Sequence, residues 1–145
     1  MSAGKIFQTG FVDLVVDTNL MSSGDALGAK QQFTVPVHGE VIGVVVRDAA
    51  KQSANLDIVL FNKDITGTAT NAAFAPSNTE LLTAVGAILV DTWKAFSTNS
   101  LGVESNIRMP YWAPGGTLFF QCVTRATPTY AAASDVQISI LVQGV

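Results

Sequence analysis

The most regular pattern in the chain is an alternation of apolar and polar residues near its C-terminal end, between Asp135 and Gln143. Side chains that repeat with a period of two lie on opposite faces of a β-strand. We therefore expect this segment to be a strand with one face in the core. The inward residues would be Val136, Ile138, Ile140 and Val142, and the outward ones Gln137, Ser139 and Gln143.

A second pattern lies in the middle of the chain, between Glu40 and Asn62. Two apolar, β-branched runs flank a short polar break at residues 49–53. This arrangement predicts a pair of antiparallel strands. Neither run has a clean polar face, so both sides of each strand are expected to meet apolar groups. Ile58 and Leu60, like Ile138 and Ile140, should be buried.

The rest of the chain divides into shorter predicted elements. Strands are expected at 5–9 and 11–16 (with a kink at Gly10), 31–37, 87–90, 92–97, 100–112 and 117–125. Residues 17–30 and 63–76 read as loops, and His38-Gly39 as a turn. Ser77 and Glu80 have the spacing of a capping box, which predicts a helix of about two turns ending at Gly86.

Many strands with one short helix predict an all-β fold, namely an antiparallel β-sandwich that is jelly-roll-like. No strand–helix alternation suggests a parallel sheet. At 145 residues the chain is expected to be a single domain, 1–145, in which residues 1–30 form an N-terminal strand or arm and a long loop.

Composition narrows the expected partners. Charged residues make up 13% of the chain, against about 25% in an average protein, and such a surface suits an assembly. A net charge of -3 and scattered basic residues argue against nucleic-acid binding. The apolar runs are too short to span a bilayer, and the first residues lack the apolar core of a signal peptide. We expect neither a nucleic-acid nor a membrane partner.

Candidate chemistry is sparse. His38 is the only histidine and Cys122 the only cysteine, and neither has the neighbours of a catalytic triad or a zinc site. Cys122 lies in an apolar strand, where a buried thiol is the ordinary outcome. Paired carboxylates remain open, because only the fold can bring them together. We expect no enzyme activity and no cofactor.

Aromatic residues are the candidate binding groups. The candidates for a protein interface are Phe11, Phe61, Trp93, Tyr111 and Trp112. Exposed aromatic side chains anchor interfaces or stack on sugars, whereas buried ones belong to the core, and both outcomes are open here. A further apolar set is expected to include several residues on outer sheet faces: Val45, Val59, Phe61, Phe119, Val123 and Leu141.

Four segments carry a resemblance to a known family. They are Asn55-Leu-Asp-Ile-Val-Leu-Phe-Asn, Asn71-Ala-Ala-Phe, Glu80-Leu-Leu to Val85-Gly86, and Trp93. In this order they resemble the capsid decoration, or cement, proteins of tailed bacteriophages. The resemblance implies a homo-oligomer, usually a trimer, made in the host cytoplasm and bound to the major capsid protein on the virion surface. The alternative is a carbohydrate- or receptor-binding β-sandwich module of a phage fibre that uses Trp93, Tyr111 and Trp112.

Overall fold

The computed structural model describes residues 4–144, which form two antiparallel β-sheets packed face to face. The elements in chain order are β1 (Ile6–Gln8), β2 (Val12–Asp13), β3 (Ala26–Thr34), β4 (His38–Asp48), β5 (Leu56–Phe61), α1 (Asn78–Leu81), β6 (Ala84–Val90), β7 (Trp93–Ala95), β8 (Ser100–Glu104), β9 (Met109–Trp112), β10 (Thr117–Thr124) and β11 (Val136–Gly144). The expected antiparallel β-sandwich with one short helix is confirmed.

The pairing of strands is nested. Sheet 1 has the order β1-β11-β4-β8-β7, with β2 also on β11 and β9 also on β4. Sheet 2 has the order β3-β10-β5-β6. The first strands of the chain thus pair with the last, β3 with β10, β4 with β8 and β5 with β6. The chain passes back and forth between the two sheets as it folds.

The core lies between the inner faces of the two sheets. Ile58, Leu60, Ile138 and Ile140 are each 0% exposed, so their predicted burial is confirmed. The predicted inward residues Val136 and Val142 are buried as well. In sheet 2, the rings of Phe33 and Phe120 stack with their centroids 4.3 Å apart. Apolar side chains on alternate strand positions therefore fill the sandwich, as their period of two requires.

The predicted pairing of the two central strands with each other is wrong. β4 pairs with β11, β8 and β9 in sheet 1, whereas β5 pairs with β10 and β6 in sheet 2. The polar break at residues 49–53 lies in a crossing between the sheets and is not a hairpin turn. Apolar residues on both faces of a strand show that both faces are covered, but they do not identify the neighbouring strand.

A bulge in β4 interrupts the alternation of its side chains between the two faces of the sheet. Gly43 pairs with Leu141 and Val41 with Val142, so Ile42 is an extra residue without a partner on β11. The bulge brings Val41 and Val44 onto the same inner face, where both are 0% exposed. Strict alternation along β4 would instead place these two valines on opposite faces.

Several element boundaries also differ from the predictions. β3 begins at Ala26, inside the predicted loop 17–30, and β4 begins at His38, inside the predicted turn. The capping box is confirmed: the Glu80 amide donates to Ser77 Oγ (3.0 Å), and the Ser77 amide donates to Glu80 Oε1 (2.9 Å). The helix nevertheless has only four residues, and Gly86 lies inside β6.

Within residues 4–144, no helix has the length and apolar character needed to cross a membrane.

Candidate interaction surface

The outer face of sheet 2 is partly covered by the chain itself. The segment 62–76, which follows β5, folds back over β10, and the side chain of Gln121 holds it there. Gln121 Oε1 accepts from the Thr68 amide (2.9 Å), while Nε2 donates to the carbonyls of Thr68 (2.6 Å) and Gly28 (3.0 Å). Gln121 is 0% exposed, so its amide group replaces water for the covering segment.

Charged side chains fix the same segment at its rim. Lys30 Nζ donates to Asp64 Oδ1 (2.8 Å) and to the Ile65 carbonyl (2.6 Å). Glu80 Oε2 accepts from the Thr66 amide (2.6 Å). The hydrogen bonds from backbone amides hold the pKa of Glu80 below its usual value, and the Lys30 ammonium does the same for Asp64.

The covering segment explains why part of the apolar set expected on outer sheet faces is buried. Strand register places all six residues of that set on outer faces, because the inner positions of β10 are Leu118, Phe120 and Cys122. However, Phe61 is 0% and Val123 2% exposed. Phe61 is therefore corrected from a candidate interface residue to a buried one.

The outer face of sheet 1 is different, because apolar side chains cross it with little cover from the chain. Val45 on β4 lies between Val103 on β8 and Ser139 on β11, and Leu141 lies one row further along. Ile6 on β1 pairs with Gln143 on β11, which lies one row beyond Leu141 on the same face. Ile6 is 61% and Val103 39% exposed, and Val45 and Leu141 are half-buried. We call Ile6, Val45, Leu101, Val103 and Leu141 the apolar stripe.

Few charges accompany this stripe. Arg47 and Lys94 flank it at the Leu101 row, and at the other end the Arg108 Nε lies 3.0 Å from Glu40 Oε1. Ser139 lies on the same outer face, in agreement with its predicted outward position, but it is 0% exposed. Its hydroxyl donates to the Thr9 carbonyl (2.8 Å), so the turn between β1 and β2 covers this one position.

The remaining aromatic candidates do not form one cluster. Trp112 is 56% and Phe11 46% exposed, so both are free to meet a partner. Trp93 is half-buried against Gly102 and the core. Tyr111 is only 7% exposed and faces inward, where burial raises the pKa of its hydroxyl to about 12. Tyr111 is therefore corrected from an interface candidate to a core residue.

Trp112 lies on the outer face of sheet 1, opposite His38 in register. One row further along that face, Glu40 and Gln143 line a shallow depression of about 300 Å³ together with Ile42, Asn106, Ile107 and Arg108. An exposed indole beside hydrogen-bonding groups is an arrangement that can bind a sugar ring.

Two buried carboxylates hold turns of the backbone in place. Asp48 accepts from the amides of Ala50 and Ser53 (both 2.9 Å), and Asp135 accepts from those of Ala131 and Ala132 (both 2.9 Å).

Cys122 is 0% exposed, as predicted, and burial raises the pKa of its thiol. Among residues 4–144, no group of three His, Cys, Asp or Glu side chains is placed to hold a metal ion.

No protein-family model and no curated protein matches this chain. Any proposal about function therefore rests on the surface of the chain.

The sequence patterns indicate Val45 and Leu141 as outer-face residues, but they do not indicate Ile6 and Val103. The only signal that could have found them is strand register, which joins Val103 to Val45 across 58 positions of sequence, and a local pattern does not contain it.

Proposed function

We propose that this chain is a structural virion protein that binds the outside of a phage capsid through its major capsid protein and stabilises the junctions between capsomers. The observation that carries the proposal is the apolar stripe on sheet 1. A partner that covers Ile6 and Val103 removes apolar surface from water without having to desolvate many charges.

The architecture supports this proposal. Each of the four strand pairs that make up the nested order is the pairing of a double-sheet jelly roll, a fold that recurs in virus capsid domains. We interpret the sandwich as a jelly roll on this ground. A fold hosts many functions, so the argument for binding rests on the stripe and not on the architecture.

A second function is favoured by one specific observation. Trp112 lies beside the depression lined by Glu40, Asn106, Arg108 and Gln143, which supplies both a stacking surface and hydrogen-bonding groups. In this alternative the chain is a carbohydrate- or receptor-binding module of a phage fibre. Glycan-array binding that Trp112→Ala abolishes would support it.

Binding to shells tests the first function. Purified shells of the major capsid protein from the same source are mixed with the chain, and co-sedimentation and the temperature of shell disruption are measured. We expect binding and a higher disruption temperature. Val103→Asp should reduce both, because it places a charge within the stripe, whereas Ala131→Asp adds the same charge on an exposed loop and should not.

The oligomer is tested separately. We propose a homo-oligomer, and the family resemblance favours a trimer. Sedimentation equilibrium of the free chain measures its mass directly. Absence of shell binding by the unmodified, folded chain would reject the decoration function, and tight glycan binding in the same preparation would replace it with the alternative.

A further inference from the structure

Strand β6 is a sheet edge with few of the usual protections. A sheet edge exposes unpaired N–H and C=O groups, which proteins usually protect with short strands, charges, proline or covering segments. Sheet 1 ends in three-residue strands, β1 and β7, and in β9, which contains Pro110. In sheet 2, the edge strand β3 contains Lys30, and its Ala29 amide donates to the Leu14 carbonyl (2.8 Å). β6 is longer, at seven residues, and contains neither a charged residue nor a proline; its one irregularity is a bulge at Val85, where the register against β5 shifts.

The backbone of β6 pairs on one side only. Its register with β5 runs from Leu56↔Val90 to Phe61↔Ala84. Within residues 4–144, no other backbone hydrogen bond involves positions 84–90, and no side chain donates to or accepts from them. A row of donors and acceptors along the other side is therefore left to water or to a further strand.

The side chains around this edge are apolar and exposed. No charged residue occurs from Leu81 to Val90. Leu82 is 86% and Leu89 48% exposed, and Ala87 is exposed between them. Water-exposed leucines beside unpaired backbone groups are the combination that favours addition of an extended strand.

We propose that β6 pairs antiparallel with β6 of a second copy of this chain, about a twofold axis at Ala87. The contact joins the two second sheets into one continuous eight-stranded sheet. In this register Leu89 lies opposite Val85 of the second copy, and Ile88 lies opposite Gly86 of the second copy. Around the axis Ala87 meets Ala87 and Ile88 meets Gly86, so no charge enters the contact; Val85, at the bulge, packs against the core of its own copy.

Charge favours a second copy as the occupant. The charged residue nearest to β6 on its C-terminal side is Asp91, and on its N-terminal side it is Glu80. The antiparallel register places Asp91 opposite Thr83 of the second copy, so that like charges do not meet across the axis. β6 itself offers no charge or hydrogen-bonding side chain that would select a different protein. The edge is thus complementary to itself.

This contact is independent of the proposed binding to a capsid, because it uses sheet 2 and leaves the apolar stripe on sheet 1 free. A twofold contact by itself makes dimers. A trimer would need a second and different contact between copies.

Charge complementation at the twofold axis tests the proposal. Sedimentation velocity over a wide concentration range should show a monomer–dimer equilibrium of the unmodified chain. Ala87→Lys places two ammonium groups opposite each other, and Ala87→Glu does the same with two carboxylates. Each variant alone should dimerise at least tenfold more weakly. Their equimolar mixture should recover dimers, because Lys then faces Glu.

Two controls make the result decisive. Ala131→Lys adds the same charge on an exposed loop and should leave dimerisation unchanged, and thermal unfolding of each variant reports whether it remains folded. A strictly monomeric unmodified chain, dimers insensitive to both Ala87 variants, or a mixture that fails to recover dimers would each overturn the proposal. Failure of shell binding with intact complementation would reject the capsid function alone.

Discussion

The side chain of Gln121 holds the backbone of Thr68 at two points, accepting from the Thr68 N–H at 2.9 Å and donating to the Thr68 C=O at 2.6 Å. This contact joins residues 53 positions apart in the sequence. It fixes the covering segment over the outer face of sheet 2, where Phe61 is buried. As a result, the two outer faces of the sandwich are unequal: the chain covers Phe61 on sheet 2, whereas the apolar stripe on sheet 1 has little cover.

Replacing Gln121 with methionine tests this role. The methionine keeps the length of the side chain but leaves the Thr68 amide and two carbonyls without partners. We expect a loss of about 1–3 kcal/mol in the free energy of unfolding, measured by denaturant titration. Gln137→Met on β11 is the matched control, because the Gln137 side chain forms no hydrogen bond within residues 4–144. It should change stability by less than about 0.5 kcal/mol. Equal effects of the two variants would contradict the role of Gln121.

Gly39 illustrates a close approach that only glycine permits. A Cβ at this position would lie 2.7 Å from Tyr111 Oη and 2.9 Å from the Gln143 carbonyl oxygen. We expect Gly39→Ala to destabilise the protein by about 1–3 kcal/mol, since the backbone oxygen cannot move aside easily. Gly10→Ala is the control, because nothing lies within 4 Å of a Cβ there. Thermal unfolding of both variants checks the prediction, and an unaffected Gly39→Ala protein would show that β9 can shift.

The two faces of β11 should respond differently to truncation. Ile138→Ala removes a side chain that is 0% exposed and should cost about 2–5 kcal/mol. Leu141→Ala, three positions along the strand on the outer face, should cost about 1 kcal/mol or less in the free chain. If Leu141 lies in the binding surface, the same variant should weaken shell binding much more than it weakens folding. A cost below about 1 kcal/mol for Ile138→Ala would show that the strand register is wrong.

Acid should loosen the covering segment near Glu80. Backbone hydrogen bonds from Ser77 and Thr66 lower the pKa of Glu80 below 4.5, so its contribution is present above that pH and is lost as pH falls through the lowered pKa. Asp48 has the opposite sign, because burial raises its pKa and its protonation therefore favours folding. Amide chemical shifts of Thr66 and Ser77 should change below pH 4.5, and Glu80→Gln should remove that titration. A midpoint above 4.5 would contradict the assignment.

The sequence predicted those features that depend on neighbouring residues. The alternation of β11 placed Ile138 and Ile140 in the core, and the Ser77–Glu80 spacing predicted the capping box. The same local information could not show that β4 and β5 belong to different sheets, because their partners lie far away along the chain. The bulge at Ile42 likewise depends on the pairing with β11.

The candidate surface was predictable only in part, for the same reason. Phe61 and Tyr111 were candidates because of their type, and both are buried: Phe61 lies on an outer face that the chain covers, and Tyr111 lies on the inner face. Val103 had no local signal, and its importance appears only when β8 pairs with β4. Trp112 and Phe11 remain exposed candidates, but their partner remains a proposal.

Binding to shells through the apolar stripe should depend little on salt. Exposed charge pairs are screened when the Debye length falls from about 10 Å at 0.1 M salt to about 3 Å at 1 M, whereas burial of apolar surface is not weakened by this screening. We expect the dissociation constant to change by less than about threefold over this range, as measured by co-sedimentation. Lys94→Gln, which removes a charge at the border of the stripe, should have a similarly small effect. A tenfold or greater loss of affinity at high salt would show instead that charges such as Arg47 and Lys94 dominate the contact, and the apolar stripe would then not be the binding surface.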